Sequence, residues 1–295
     1  IAHAQLKLYR QSVLKSAFEG NLTKDWREEN KDKLEPADEL LKRIKQEREA
    51  HYHQQLENWN SAVKTWEQNG KEGKKPAKPR NFLVPDGISI DVLKILPQLP
   101  ENWEWCKVGH LFNVYVGSTP SRKKQSFWHG SIPWISSGEV AFCKVNDTEE
   151  KITQEGYESA STQIHPIGTV MLAMIGEGKT RGQAAILNIE AAHNQNTAAI
   201  RVSETECSTL LFYYYLLYQY ELTRRLGSGN NQKALNKDRV SNMTLPLMSL
   251  PEQIQIALEI ENQLSVIESI EQTIETELKK SEVLRQSILK KAFSG

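Results

Sequence analysis

The chain has 295 residues, 39% hydrophobic and 25% charged, an ordinary globular composition with enough length to bury one large core or two smaller ones. Its 37 Lys and Arg balance 37 Asp and Glu, so bulk charge selects no polyanionic partner, and any nucleic-acid binding has to come from local clusters. No stretch approaches the ~18–20 unbroken apolar residues of a membrane helix.

The start at Ile1 is soon interrupted by His3, Gln5 and Lys7 and is not read as a signal peptide. A first residue other than Met fits a processed or excerpted chain. Residues 8 to 20, LYRQSVLKSAFEG, return at 283 to 295 as VLRQSILKKAFSG. Arg10/Arg285, Gln11/Gln286, Ser12/Ser287, Leu14/Leu289, Lys15/Lys290, Ala17/Ala292, Phe18/Phe293 and Gly20/Gly295 match without a gap. Each copy reads as a last helical turn, basic toward the negative helix end and closed by a glycine cap. Residues 1–20 are therefore expected to be the tail of one helix, equivalent to the tail of the last.

A connector follows over 21–98. Glu35-Pro36-Ala37-Asp38 is a helix start, and the run to about Gln68 carries sparse apolar positions (Leu40, Leu41, Ile44, Leu56, Trp59, Val63, Trp66) that suit an exposed helix docked along one stripe. Gly70 to Arg80, GKEGKKPAKPR, reads as a basic Gly/Pro linker with no core to bury. Residues 81–98 are read as irregular.

From 99 to 250 short β-rich runs appear at Leu111–Val116, Ile132–Ile135, Thr169–Ile175, Ala184–Ile189 and Thr197–Val202, punctuated by Gly, Asn, Ser and Pro. A compact α/β (α+β) domain is expected. A helix at about Ser208–Leu226 holds Phe212, Tyr213, Tyr214, Tyr215 and Tyr218; tyrosines can stack on bases, but beside Leu210, Leu216 and Leu217 most of these belong to the core. Over 251–295, Ile260, Leu264, Ile267, Ile270, Ile274 and Leu278 fall three and four apart. That is the seam of a long amphipathic helix, roughly 65–70 Å at 1.5 Å per residue. Such a rod is expected to need a second helix, as in an antiparallel coiled coil.

Catalytic readings lack parts. Ala173-Met-Ile-Gly-Glu-Gly-Lys-Thr180 fits a permissive phosphate-loop pattern, with Lys179 and Thr180 in the phosphate and magnesium roles of a nucleotide hydrolase. A phosphate loop must open a helix, whereas Ala184–Ile189 reads as a strand. His51 and His53, two apart on a helix, face different directions. Cys106, Cys143 and Cys207 are far apart and without CxxC spacing, as for reduced thiols of a cytoplasmic protein. No GxSxG elbow, no Asn- or Asp-Pro-Pro-aromatic motif for target-amine methylation and no acidic nuclease cluster stands out. No catalytic residue, metal or cofactor is assigned.

Three polar loops remain: Gly117–Lys124 (Ser118, Thr119, Ser121, Arg122, Lys123, Lys124), Gly176–Gly182 (Lys179, Thr180, Arg181) and Gly227–Lys233 (Asn230, Asn231, Lys233). Arg and Lys suit guanine edges, Asn and Gln adenine edges, and Ser and Thr phosphates. Solvated turns use many of the same residues.

With Leu99-Pro-Glu-Asn-Trp103, Gly117-Ser-Thr-Pro120, Ile132-Pro-Trp-Ile-Ser-Ser-Gly138, Gly168-Thr-Val170, Gly178-Lys-Thr180, Asn194-Gln-Asn196, Gly227-Ser-Gly229, Leu245-Pro-Leu247, Leu250-Pro-Glu-Gln253 and the terminal Leu-Arg-Gln-Ser-Ile-Leu-Lys-Lys-Ala-Phe-Ser-Gly in this order, the chain resembles the specificity subunits of type I restriction–modification systems. The resemblance implies a target recognition domain over 99–250 and a conserved-region helix over 251–295. A full subunit has two such units, whose helices pair antiparallel; this chain has one, as a C-terminal half or a half-length subunit that dimerises. The implied partners are double-stranded DNA, methyltransferase subunits that carry the S-adenosylmethionine and the catalysis, and in some complexes a restriction subunit. The other expectations are a coiled-coil adaptor that reads no sequence and, more remotely, the nucleotide hydrolase.

Overall fold

The structure is a computed structural model that describes residues 2–73, 75–79, 84–176, 178–226 and 234–293, with the backbone alone for 221–226. Helix α1 (Ala2–Phe18) buries Val13, Leu14, Ala17 and Phe18. The glycine cap is present: Gly20 turns the chain at φ +77°, and the Asn21 N–H returns to the Ser16 carbonyl. A Cβ at Gly20 would run into the Pro100 ring, so both backbone angle and space demand glycine.

After α2 (Lys24–Glu29), α3 (Ala37–Gln68) starts at Pro36 with Asp38 and Glu39 in its first turn, acids where the helix dipole favours them. Its buried residues, Ala37, Leu40, Ile44 and Arg48, lie three and four apart and stop at Arg48. Arg48 is the anchor, donating to the carbonyls of Gly109 and His110 (2.9 and 2.6 Å) and to Asn113 Oδ1 (2.8 Å). Residues 81–98 are not wholly irregular, since α4 (Ile90–Ile95) lies within them.

The globular part opens with β1 (Glu104–Lys107) and α5 (Val108–Leu111). A five-stranded mixed sheet takes the order β2-β9-β6-β7-β4, with β2 (Val114–Val116), β4 (Cys143–Val145), β6 (Val170–Ala173), β7 (Ala184–Leu187) and β9 (Thr197–Ile200). All its pairs are antiparallel except β4 with β7. Every residue of β6, β7 and β9 is buried, which is why these runs are continuous rather than alternating. A second sheet takes the order β5-β3-β8, from β3 (Trp128–Ile135), β5 (Glu150–Ile152) and β8 (Ala192–His193). Helix α6 (Gln154–Ser159) follows β5, α7 (Thr209–Leu226) follows β9, and α8 (Lys237–Ser241) leads to β10 (Thr244–Leu247), the antiparallel partner of β1. The chain ends in α9 (Leu250–Phe293).

A buried carboxylate joins the three parts. Glu252, in the first turn of α9, is 1% exposed. It accepts from Thr23 Oγ1 (2.9 Å) and Arg27 Nε (2.6 Å) through one oxygen and from the Trp103 indole N–H (2.8 Å) through the other. Arg27 also donates to the Gly20 carbonyl (2.6 Å) and lies 5.1 Å from the Trp103 ring centroid. The next residue, Gln253, accepts from the Ser208 N–H at the start of α7 and donates to the Met248 carbonyl.

From this joint α1 and α9 run antiparallel, Arg10 reaching Glu271 at 2.6 Å. Phe18 meets Tyr215 edge-on (centroids 5.0 Å) and stacks on Tyr218 (5.7 Å). The aromatic run of α7 is therefore mostly core: Phe212, Tyr214 and Tyr215 are buried. The expected seam divides. Ile260 and Ile267 are fully buried and Leu264 packs against the same core, so α1 and α7 of the same chain cover the first half of α9. Ile274 is half-buried, while Ile270 and Leu278 are exposed.

Replacing Glu252 with Ala is expected to cost about 3–5 kcal/mol, because it strands a buried guanidinium. Urea unfolding of the two proteins checks it; a loss below about 1 kcal/mol contradicts the role given to the joint.

Candidate nucleic-acid interface

The sheet register carries the loops to one place. Val116, the last residue of β2, pairs with Ala198 at the start of β9; Ala173, the last of β6, pairs with Thr197. Leu172 pairs with Ala184, the first residue of β7, and Ala185 with Cys143, the first of β4. The segments 117–124, 136–142, 174–183 and 194–196 therefore leave the same end of the sheet. The flanks of the third expected loop reach this end too. The Tyr220 hydroxyl donates to the Lys179 carbonyl (2.7 Å), and the Leu235 N–H to the Met174 carbonyl (3.0 Å). Gly227–Lys233, with Asn230, Asn231 and Lys233, lies outside the described residues.

Loop 117–124 is held by its backbone. Ser118 donates its N–H to the His193 carbonyl and accepts the Trp134 indole through its own carbonyl; the Ser121 carbonyl accepts the Trp128 indole. Gly117 lies so close to the His193 carbonyl that a Cβ would overlap it. Thr119 donates to Gln195 Oε1 at 2.6 Å, tying this loop to 194–196. Two expected cations are engaged. Arg122 pairs with Glu150 and stacks 3.8 Å above the Trp128 ring centroid; the pairing holds the guanidinium above and the Glu150 carboxyl below their ordinary values. Lys124 pairs with Glu155, whose carboxyl it lowers, and sits 4.4 Å from the Phe127 ring centroid. Ser121 and Lys123 are exposed.

Segment 174–183 links two antiparallel neighbours and is closed by Gly182 N–H to the Ala173 carbonyl and Ala173 N–H to the Gln183 carbonyl. Among its described residues no helix begins, so Lys179 and Thr180 have no helix N-terminus to cradle a phosphate. Lys179 is exposed, and Thr180 and Arg181 are half-buried. Sequence reasoning assigned no role to Phe142, whose ring meets Tyr220 edge-on at 4.9 Å and whose φ is +53°. Such backbone strain in a non-glycine residue concentrates at working surfaces. Glu139, which accepts the N–H groups of Ser136 and Glu149, also went unseen; the Ile132–Gly138 motif beside it was the available signal. Among the described residues no His, Cys, Asp and Glu cluster could hold a metal, and no helix is long and apolar enough to cross a membrane.

Residues 100–280 match the family described as the type I restriction modification DNA specificity domain. The chain belongs to this family. Over 196 residues it is 26% identical to the type I restriction enzyme MjaIX specificity subunit of Methanocaldococcus jannaschii, covering 65% of this chain and 43% of that one. Over 156 residues it is 25% identical to the EcoR124I/EcoR124II specificity subunit of Escherichia coli, covering 52% and 39%. It thus spans less than half the length of these relatives. In fold it is similar to the HsdS subunit from Thermoanaerobacter tengcongensis, with a TM-score of 0.50 and 18% identity over 88% of this chain and 56% of that one. A chain from a study of complex assembly and conformational transition of the type I R-M system gives a TM-score of 0.56, also at 18% identity, covering 87% and 57%. The expected fold class, a mixed α/β domain with a long helix, is the one found. As a member of the specificity-domain family the chain is not favoured as a mere adaptor, and the turn geometry disfavours a nucleotide hydrolase.

The specificity domain rests its loop end on two buried histidines. His193 supplies the carbonyl under Ser118, and its ring packs edge-on against His165 (centroids 4.8 Å). Arg201 Nε donates to His165 Nδ1. Burial pushes His165 down to about 2 and His193 to about 4. Both are neutral in the folded protein while the unfolded chain takes up protons below pH ~6.5. Stability is thus full above that pH and falls as pH drops, by about 1 kcal/mol per histidine at pH 5.5. Thermal melts are expected to show a fall between pH 7.5 and 5.5; equal midpoints contradict it.

Proposed function

We propose that this chain is a sequence-reading DNA subunit of a type I restriction–modification complex, reading one half of a bipartite target with the loops at the common end of its five-stranded sheet. The observation that supports this most is the convergence of several polar loops on one end of a packed sheet: β6, β7 and β9 are buried throughout, and loops on a rigid scaffold can change their contacts without changing the fold. Arg122 and Lys124, expected as DNA-binding residues, are read here as loop braces, since their charges already face Glu150 and Glu155. Lys123, Lys179 and Arg181 are assigned to DNA, together with Ser118, Thr119, Ser121 and Thr180 for phosphates and edges. Asn230, Asn231 and Lys233 stay candidates for adenine and backbone contacts on sequence grounds.

Catalysis is assigned to methyltransferase subunits, which would carry S-adenosylmethionine; a restriction subunit is a further expected partner and the cytoplasm the expected compartment. The second half of α9 is read as the contact to a second recognition unit. It presents Leu278, Val283, Leu284, Ile288, Leu289 and Phe293 to solvent. The matching residues of α1, Leu14, Ala17 and Phe18, are buried, so the repeat itself supports a partner of the same kind. If that unit is a second copy, two-fold symmetry makes the site a split palindrome.

Selection from a random duplex pool, with the chain assembled on its methyltransferase, tests the reading. An enriched motif with steep salt dependence is expected. Joint Lys123→Gln, Lys179→Gln and Arg181→Gln substitution is expected to weaken binding at least tenfold, each lost contact being worth about 1–3 kcal/mol. Undiminished specific binding contradicts the loop assignment, and no enriched motif contradicts the function.

A further inference from the structure

Part of the basic Gly/Pro run after α3 is seated on the helix. Beyond Arg48 about twenty residues of α3 carry the helix roughly 30 Å past its anchor. The chain then reverses through Gly70 and Lys71, both at positive φ, and returns along the helix. Trp66 donates its indole N–H to the Gly73 carbonyl (3.3 Å) and Trp59 to the Pro76 carbonyl (3.0 Å). The order is antiparallel, the residue nearer the turn pairing with the tryptophan nearer the helix end. At the base, Pro85 fits against Gly109 and accepts from His110 Nε2 (2.9 Å). Helix α3 and the strap residues seated on it together make one arm, which Arg48 anchors to the globular part.

The arm is basic on the strap side. Among the described strap residues, Lys71, Lys75 and Lys78 stand against Glu72. Lys71, Lys75 and Lys78 are exposed, while Pro76 and Pro79 beside them are half-buried. Lys75 Nζ lies 5.9 Å from the Trp66 ring centroid and Lys78 Nζ 5.7 Å from that of Trp59. A proline-containing strap seated on indoles has already given up its backbone freedom on folding, so ordering it on a partner costs little. Lysine is a point charge without the planar fork that matches a base edge, and 71–79 contain no Asn, Gln or Arg. The chemistry suits phosphates and offers nothing to read sequence with.

We propose that this arm is a sequence-blind phosphate clamp for the backbone of duplex DNA flanking the stretch read by the sheet-end loops, reaching it from the other end of β2, where Arg48 holds Asn113. The proposal rests on the DNA-reading function given above. It assigns affinity and salt dependence to Lys71, Lys75 and Lys78, and base choice to the loops.

The test uses the full chain assembled with its methyltransferase and a labelled duplex that carries the selected motif with flanks on both sides. Affinity is measured over a salt series for the parent and for the Lys71→Gln, Lys75→Gln, Lys78→Gln variant. Each phosphate contact contributes about 0.9 to the slope of log K against log salt. The variant is expected to lose about 2–3 from that slope and roughly 10- to 100-fold in affinity near 0.1 M salt, with the same motif enriched. A second variant, Trp59→Phe with Trp66→Phe, keeps every charge and removes both indole bonds; it is expected to bind several-fold more weakly at nearly the parental slope. An unchanged slope in the lysine variant overturns the clamp while leaving a parental motif, and so the reading function, intact. Weaker retention of methyltransferase with unchanged DNA slope overturns it in favour of an acidic protein partner. A parent complex that enriches no motif overturns the reading function and the clamp together.

Discussion

One buried carboxylate sets the geometry of the molecule. Glu252 accepts from Thr23, Arg27 and Trp103, and so locks the end of α1, the entry to the globular part and the root of α9 into one joint. An ionised group so deep is tolerable only when both oxygens are satisfied and an opposite charge lies alongside. Here that geometry makes the joint intolerant of any partner's loss. It also fixes the angle at which α9 leaves the domain, and hence how a second unit carried on that helix would be placed. Gly20 belongs to the same device, its carbonyl held by Arg27 and its α-carbon pressed against Pro100.

The rest of the architecture divides labour around that joint. Aromatic packing of Phe18 on Tyr215 and Tyr218 seals α1 to α7, which leaves the tyrosines to the core rather than to stacking on bases. The far end of the sheet is free to carry loops because its three central strands, β9, β6 and β7, are buried and paired on both sides. Even there, charge is spent on structure first: Arg122 and Lys124 brace their loop through Glu150 and Glu155. The exposed Lys123 and Lys179 remain turned to solvent.

Much of this was legible in the residues. The glycine cap at Gly20, the helix start at Pro36, the central strands and the long final helix follow local rules of capping, propensity and period. The motifs Leu99–Trp103 and Leu250–Gln253 were visible, but not that they meet, because a contact between Trp103 and Glu252 leaves no periodic trace. Strands as short as β5 and β8, lying outside any continuous apolar run, carry too little pattern to be seen. The strap after α3 has the composition of a linker, and the two indole N–H bonds that seat it on the helix leave no trace in that composition. The ion pair of Arg122 with Glu150 left no trace in the sequence, since an arginine in a polar loop looks the same with or without such a partner.

The central claim is that the common end of the five-stranded sheet is the DNA-reading surface. Amide hydrogen exchange of the methyltransferase-assembled chain, with and without its selected duplex, tests it most directly. The account predicts slowed exchange in 117–124, 136–142, 174–183 and 194–196 and unchanged exchange in β1 and β10 at the opposite, joint-bearing side. Protection confined to the joint or to α9, with the sheet-end loops unaltered, would contradict it.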